Sequence, residues 1–88
     1  MPINNNYILK HVGEDYMIIP LSDGGVDFSK VYNVSSTGAF IYEQLKDNKA
    51  PLEIAYHMVE EYEVDYDVVL KDIFEFVDEL KKRGIYHD

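Results

Sequence analysis

The sequence predicts an α+β fold: a three-stranded antiparallel sheet followed by three helices. Three observations carry this. Residues 7–34 read as short apolar runs divided by glycine-containing turns. At Lys30 to Leu45, KVYNVSSTGAFIYEQL, the apolar spacing lengthens from that of a strand to that of a helix, and two later stretches keep helical spacing.

Met1 to Asn6, MPINNN, is polar and reads as a loose tail, so one domain is expected over 1–88 with order from about Tyr7 to Tyr86. In the first strand, Tyr7 to Val12, Ile8 and Val12 share a face with the stem of Lys10, while Tyr7, Leu9 and His11 share the other. Gly13, Glu14 and Asp15 form a turn. Tyr16 to Leu21 completes a hairpin, and Pro20 limits how far its end can pair centrally. Ser22-Asp23-Gly24-Gly25 is the next turn, because Asp-Gly and Gly-Gly tolerate positive φ. The third strand is expected over Val26 to Val34. Val26, Phe28, Tyr32 and Val34 then share one face, opposite Asp27, Ser29, Val31 and Asn33, with Lys30 interrupting the apolar side. So mixed a strand at the end of a meander belongs at a sheet edge.

Ser35 stands where the period changes, and its hydroxyl can cap the following helix. That helix directs Phe40, Ile41 and Leu45 toward a core, and Gly38 and Ala39 permit close approach at its first turn. Lys46 to Lys49 is a polar loop, and Pro51 suits the first turn of the second helix, where Ile54, Ala55, Met58, Val59 and Tyr62 follow at helical spacing. Glu63 and Val64 connect to Asp65, an N-cap for the last helix, with Asp67 favoured in its first turn. Tyr66, Val69, Leu70, Ile73, Phe74, Phe76, Val77 and Leu80 span an arc of about 160°, wider than a surface helix needs, which leaves part of it for something besides the core. Lys81, Lys82 and Arg83 suit the carboxyl end, Gly84 stops the helix, and Ile85-Tyr86 can fold back on the body.

Composition narrows the function. Eight Lys and Arg against 17 Asp and Glu give a formal charge of −9, which repels phosphate backbones and anionic lipid. With no cysteine, thiolate chemistry and disulfides are excluded. A signal peptide and a membrane-spanning run are both missing from the sequence, so a cytoplasmic, soluble chain is expected. His11, His57 and His87 are not at ligand spacing, and the acidic run Glu60, Glu61, Glu63, Asp65 and Asp67 fails the calcium-loop pattern at Val69 and Leu70. No Gly-x-Ser-x-Gly elbow or phosphate-cradling loop occurs, so no catalytic residues, metal or cofactor are expected. Eight tyrosines, an edge strand and an over-wide apolar arc point instead to a binding module that works by strand addition.

The ordered residues meet a known family. Val34-Ser35-Ser36-Thr37-Gly38-Ala39-Phe40-Ile41-Tyr42-Glu43-Gln44-Leu45, then Ile54-Ala55, Glu61-Tyr62, Val64-Asp65, Asp72-Ile73, Phe76, Leu80 and Gly84-Ile85, resemble the PqqD peptide chaperones and the wider RiPP recognition elements. Ser35 stands for the family's Asn cap and Tyr42 for its Trp. The resemblance implies a winged-helix-like, non-catalytic domain. It would bind the leader segment of a ribosomally synthesised precursor peptide antiparallel to the third strand, in the cleft with the third helix. It would present that peptide to a modifying enzyme, commonly a radical S-adenosylmethionine protein. Carried onto this chain, the peptide-binding residues are Val26, Phe28, Lys30, Val31, Tyr32 and Val34 on the strand and Lys71, Phe74 and Asp78 on the helix. The competing readings are a winged-helix DNA-binding regulator, which the acidic last helix opposes, and a subunit-docking adaptor.

Overall fold

The computed structural model describes residues 2–22, 24–26 and 28–87, with Val26 and Phe28 described by their backbones. The chain runs through β1 (Tyr7–Val12), β2 (Asp15–Ser22), β3 (Gly25–Val26), a 3-10 turn (Phe28–Lys30), β4 (Tyr32–Val34), α1 (Ser36–Lys46), α2 (Pro51–Glu61) and α3 (Tyr66–Lys82). The sheet is antiparallel with β2 in the middle: β1 lies along one side of it and β3 and β4 follow each other along the other. The expected three-stranded sheet and three helices are therefore present, with the third strand in two pieces.

Val12 pairs with Asp15 across a two-residue loop in which Gly13 takes φ +62°, the positive value such loops require at their first position. The second turn closes where Ser22 pairs with Gly25; Asp23 and Asp27 lie outside the described residues.

The expected continuous strand Val26 to Val34 is a correction. Leu21 pairs with Val26 and Ile18 with Tyr32, so three residues of β2 correspond to six on the other side. The surplus is taken up by the 3-10 turn. The break has a physical cause in β2. The Leu21 N–H donates to the Asn6 carbonyl, toward β1. Alternation then turns Pro20 toward the third strand, where proline has no N–H to give and the ladder fails.

Tyr7, Leu9, Ile18, Tyr32 and Val34 occupy the sheet face that meets the helices. Against them pack Ile41, Tyr42 and Leu45 of α1, Ile54, Ala55 and Met58 of α2, and Val69, Ile73, Val77 and Leu80 of α3. The expected inward position of Phe40 is only half met, since it is partly buried, whereas Tyr42 is buried completely. Tyr62, expected on the apolar face of α2, is its exposed C-cap.

Local signals explain the helix ends. The Ser35 hydroxyl accepts the Gly38 N–H at 3.0 Å, and the Asp65 carboxylate accepts the Asp67 N–H at 3.0 Å. Pro51 opens α2 and Glu53 accepts the Ala50 N–H. Gly84, at φ +75°, ends α3: the Ile85 N–H reaches back to the Leu80 carbonyl at 2.8 Å and the Gly84 N–H to that of Lys81. Asn48, at φ +66°, closes α1 in the same way.

Residues 2–6 are not a loose tail. Ile3 is 2% exposed within the core and bridges Tyr86. The Asn4 N–H donates to the Ile85 carbonyl, its side-chain amide to the Gly84 carbonyl, and the His87 N–H to the Pro2 carbonyl. Ile85 is buried as well, which meets the expectation that the carboxyl end folds back.

Tyr42 carries a test of this packing. Its hydroxyl is buried without a partner among the described residues, and burial pushes its pKa up from 10 to about 12. The unfolded chain releases this proton first, so the raised value adds stability that is complete below pH 10 and lost as pH climbs toward 12. Tyr42→Phe removes an unsatisfied hydroxyl, so it is expected to raise stability by about 1 kcal/mol at neutral pH and to flatten this alkaline loss. Denaturant melts at pH 7 and pH 11 check both effects. A lower midpoint at pH 7 would reveal a partner for the hydroxyl.

Candidate peptide-binding edge

Hydrogen-bond alternation in β2 decides which groups the third strand offers to solvent. Leu21 faces β1, so Ile18 and Tyr16 face β4 and pair there with Tyr32 and Val34. Tyr32 and Val34 therefore spend their amides on β2, and the backbone N–H and C=O of Asn33 turn to the open edge. Asn33, whose side chain is exposed, was absent from the expected site because the sequence does not say which amides the neighbouring strand consumes. The signal that finds it is Pro20 together with the register.

Tyr32 and Val34 direct their side chains toward the helices. The Tyr32 ring stacks on Phe76 of α3 at a centroid distance of 6.4 Å, and the Arg83 guanidinium lies 3.8 Å above the same ring. The Arg83 Nε donates to the Glu79 carboxylate at 2.8 Å, while the Arg83 carbonyl accepts the Tyr7 hydroxyl. Burial, and secondarily the Glu79 carboxylate, raise the Tyr32 pKa, with Arg83 opposing them. The aromatic floor is thus held from both ends. Phe76 also lies 3.5 Å from where a Cβ on Gly38 would stand, and Val34 only 3.3 Å away, so the first turn of α1 locks β4 against α3.

The structure brings together part of the expected site. Tyr32 and Val34 are half-buried in β4, Val31 is half-buried just before it, and Lys30 is exposed at the end of the 3-10 turn. Tyr7, Lys30, Val31, Tyr32 and Arg83 share a hollow of ≈ 350 Å³. Val26 sits apart in β3 and Phe28 opens the 3-10 turn; the side chains of these two lie outside the description.

Lys71, Phe74 and Asp78 are not brought to β4. Each lies about 140–160° around the helix axis from Phe76, on a face turned away from Tyr32. Phe74 is 46% exposed and Lys71 pairs with Glu75 at the surface. The residues that border the strand are instead Phe76, Glu79 and Arg83, with Asp72 on the same stripe of α3, all within about 60° of Phe76. The expected face followed the outer margin of the apolar arc, and only packing shows which margin meets the sheet.

Among the described residues no group of His, Cys, Asp or Glu could hold a metal ion, and no helix is long and apolar enough to cross a membrane.

The family model for coenzyme PQQ synthesis protein D (PqqD) matches residues 9–85. The chain belongs to the PqqD family. Two solved structures share this PqqD-type fold. TbiB1, in complex with the TbiA(beta) leader peptide, is 24% identical over 100% of both chains with a TM-score of 0.76. A lasso peptide synthetase B1 complexed with the leader peptide is 21% identical, covers 98% of this chain and 95% of its own, and has a TM-score of 0.79. A search of curated proteins finds no match.

Proposed function

We propose that this chain is a non-catalytic, cytoplasmic recognition domain. It binds the leader segment of a ribosomally synthesised precursor peptide by strand addition and presents it to a modifying enzyme of the radical S-adenosylmethionine type. The observation that carries the reading is the open edge of β4, with Asn33 presenting an unspent donor and acceptor beside the aromatic cleft of Tyr32 and Phe76. Family membership and the two leader-peptide complexes of the same fold support it.

A peptide added antiparallel to β4 gains main-chain hydrogen bonds at Asn33, and its alternate side chains enter the cleft toward α3. We place the strand side of the site at Lys30, Val31, Tyr32, Asn33 and Val34, and the helix side at Asp72, Phe76 and Glu79. Tethering the precursor raises its local concentration at the enzyme without any chemistry by this chain. The acidic charge and the acidic α3 favour a peptide over DNA as the partner.

Amide-to-ester replacement at Asn33 removes the outward N–H and keeps the side chain. It is expected to weaken binding of the leader about threefold to tenfold, since one hydrogen bond contributes about 0.5–1.5 kcal/mol. The ligand for this test is the amino-terminal half of a short peptide encoded beside the chain's gene, with affinity read by calorimetry and contacts by amide shifts. Unchanged affinity, or shifts that spare Val31 to Val34, would overturn the reading.

A further inference from the structure

The apolar arc of α3 has a second margin, turned away from β4. Tyr66, Leu70 and Phe74 step along it four residues apart, at about 80–160° around the axis from Phe76. Beside it lies α2, which the short connector 62–65 makes antiparallel to α3, and which turns its own row of Leu52 and Tyr56 outward. The two rows meet at a shallow hollow of ≈ 490 Å³ that Leu52, Tyr56 and Tyr66 share. Leu52, Tyr56 and Phe74 are 55%, 63% and 46% exposed, so the seam is apolar surface that the core leaves open. Its rim is acidic. Glu53 and Glu60 line the hollow, and Asp67 and Asp78 flank the row of Phe74 within about 40°. Of the nearby cations, Lys49 shares a separate hollow with Gln44 of α1, Lys71 pairs with Glu75, and Lys81 lies over the Tyr86 ring.

We infer that this seam docks the peptide-modifying enzyme, through an apolar patch ringed by Lys and Arg on the enzyme's surface, while the β4 edge holds the leader. The inference rests on the presenting role proposed above and names the surface that performs it. An aromatic and aliphatic centre within a charged rim is the anatomy of a protein–protein interface. Charge selects the partner. A second copy of this chain would set the acidic rim against itself and an anionic membrane would be repelled in the same way, whereas a basic rim is attracted. The seam offers a leader peptide no open strand edge, because both of its walls are helices whose backbone groups are bonded internally. Placement matters as well. With the cleft and the seam on opposite margins of α3, one chain can hold the leader and the enzyme at once, which raises the local concentration of the one at the other.

The test uses the full chain and the purified peptide-modifying enzyme encoded beside its gene, with affinity read by calorimetry in the presence and absence of the leader. Leu52→Ser/Tyr56→Ser, at two exposed positions, is expected to weaken enzyme binding about tenfold or more and to leave leader affinity unchanged. Glu60→Lys is expected to weaken enzyme binding about threefold at low salt and less at high salt. Circular dichroism verifies that both variants fold. Unchanged enzyme affinity in the double variant, tighter binding on Glu60→Lys, or loss of leader binding in either variant would overturn the inference. So would a native chain that does not bind the enzyme, or one whose self-association, read by sedimentation, the double variant abolishes. The Asn33 ester keeps the two readings apart. It is expected to weaken the leader alone; unchanged leader affinity on the ester would overturn strand addition, while a docking defect in the double variant would still uphold the seam.

Discussion

Removing residues 1–6, or replacing Ile3 by Asp, is expected to leave the chain largely unfolded under conditions where the intact chain is native. Ile3 is 2% exposed and packs in the same cluster as Leu80 and Ile85. Truncating such a side chain to Ala costs about 2–5 kcal/mol, and burying an unpaired carboxylate costs more. The deletion also strips the Ile85 and Gly84 carbonyls of their Asn4 donors and the His87 N–H of its Pro2 acceptor. A chain of this length has a total stability of roughly 4–13 kcal/mol, so these losses take much or all of it. Denaturant melts followed by circular dichroism measure this. An unchanged midpoint in the truncated chain would mean that residues 2–6 contribute no packing.

Gly38→Val is expected to cost about 2–3 kcal/mol and to weaken peptide binding, whereas Gly38→Ala should lie within about 1 kcal/mol of the native chain. A Cβ at this position comes within 3.3 Å of the Val34 Cβ and 3.5 Å of Phe76. For Ala the helix-propensity gain of about 1 kcal/mol over Gly offsets that crowding. The two extra methyl carbons of Val have no such offset, and they push β4 and α3 apart at the place where the cleft is formed. The pair of variants separates the two effects: stability read by melting and binding read by titration should both fall for Val and hold for Ala. Equal behaviour of Val and Ala would show that α1 does not set the spacing of the cleft.

The residues that made the fold legible act over a few positions of chain. Ser35 and Asp65 cap the helices that follow them, Pro51 opens α2 and Gly84 ends α3, because each satisfies or omits a backbone group of its own helix turn. The hairpin Tyr7 to Leu21 was readable for the same reason: its loop chemistry and alternation are local. The placement of Tyr32 and Val34 in the last strand, facing the helices, was legible from the order of elements. Which margin of α3 meets that strand was not legible, because an arc of apolar residues has two margins and the sequence does not distinguish them.

By itself, then, the sequence determined the first hairpin, the three helices and the residues that cap them, and that the chain carries no recognisable catalytic motif. Tertiary structure decided what depends on partners distant along the chain. Pro20 withholds a donor from a strand that follows later and so splits it at Phe28–Lys30. Ile3 is core only because Ile85 and Tyr86 return to it. Phe76, rather than Phe74, faces the open edge because Gly38 lets α1 draw that margin of α3 against Val34 and Tyr32. These are contacts between elements whose relative placement is set by burying the whole apolar surface at once, and no local window of sequence contains that constraint.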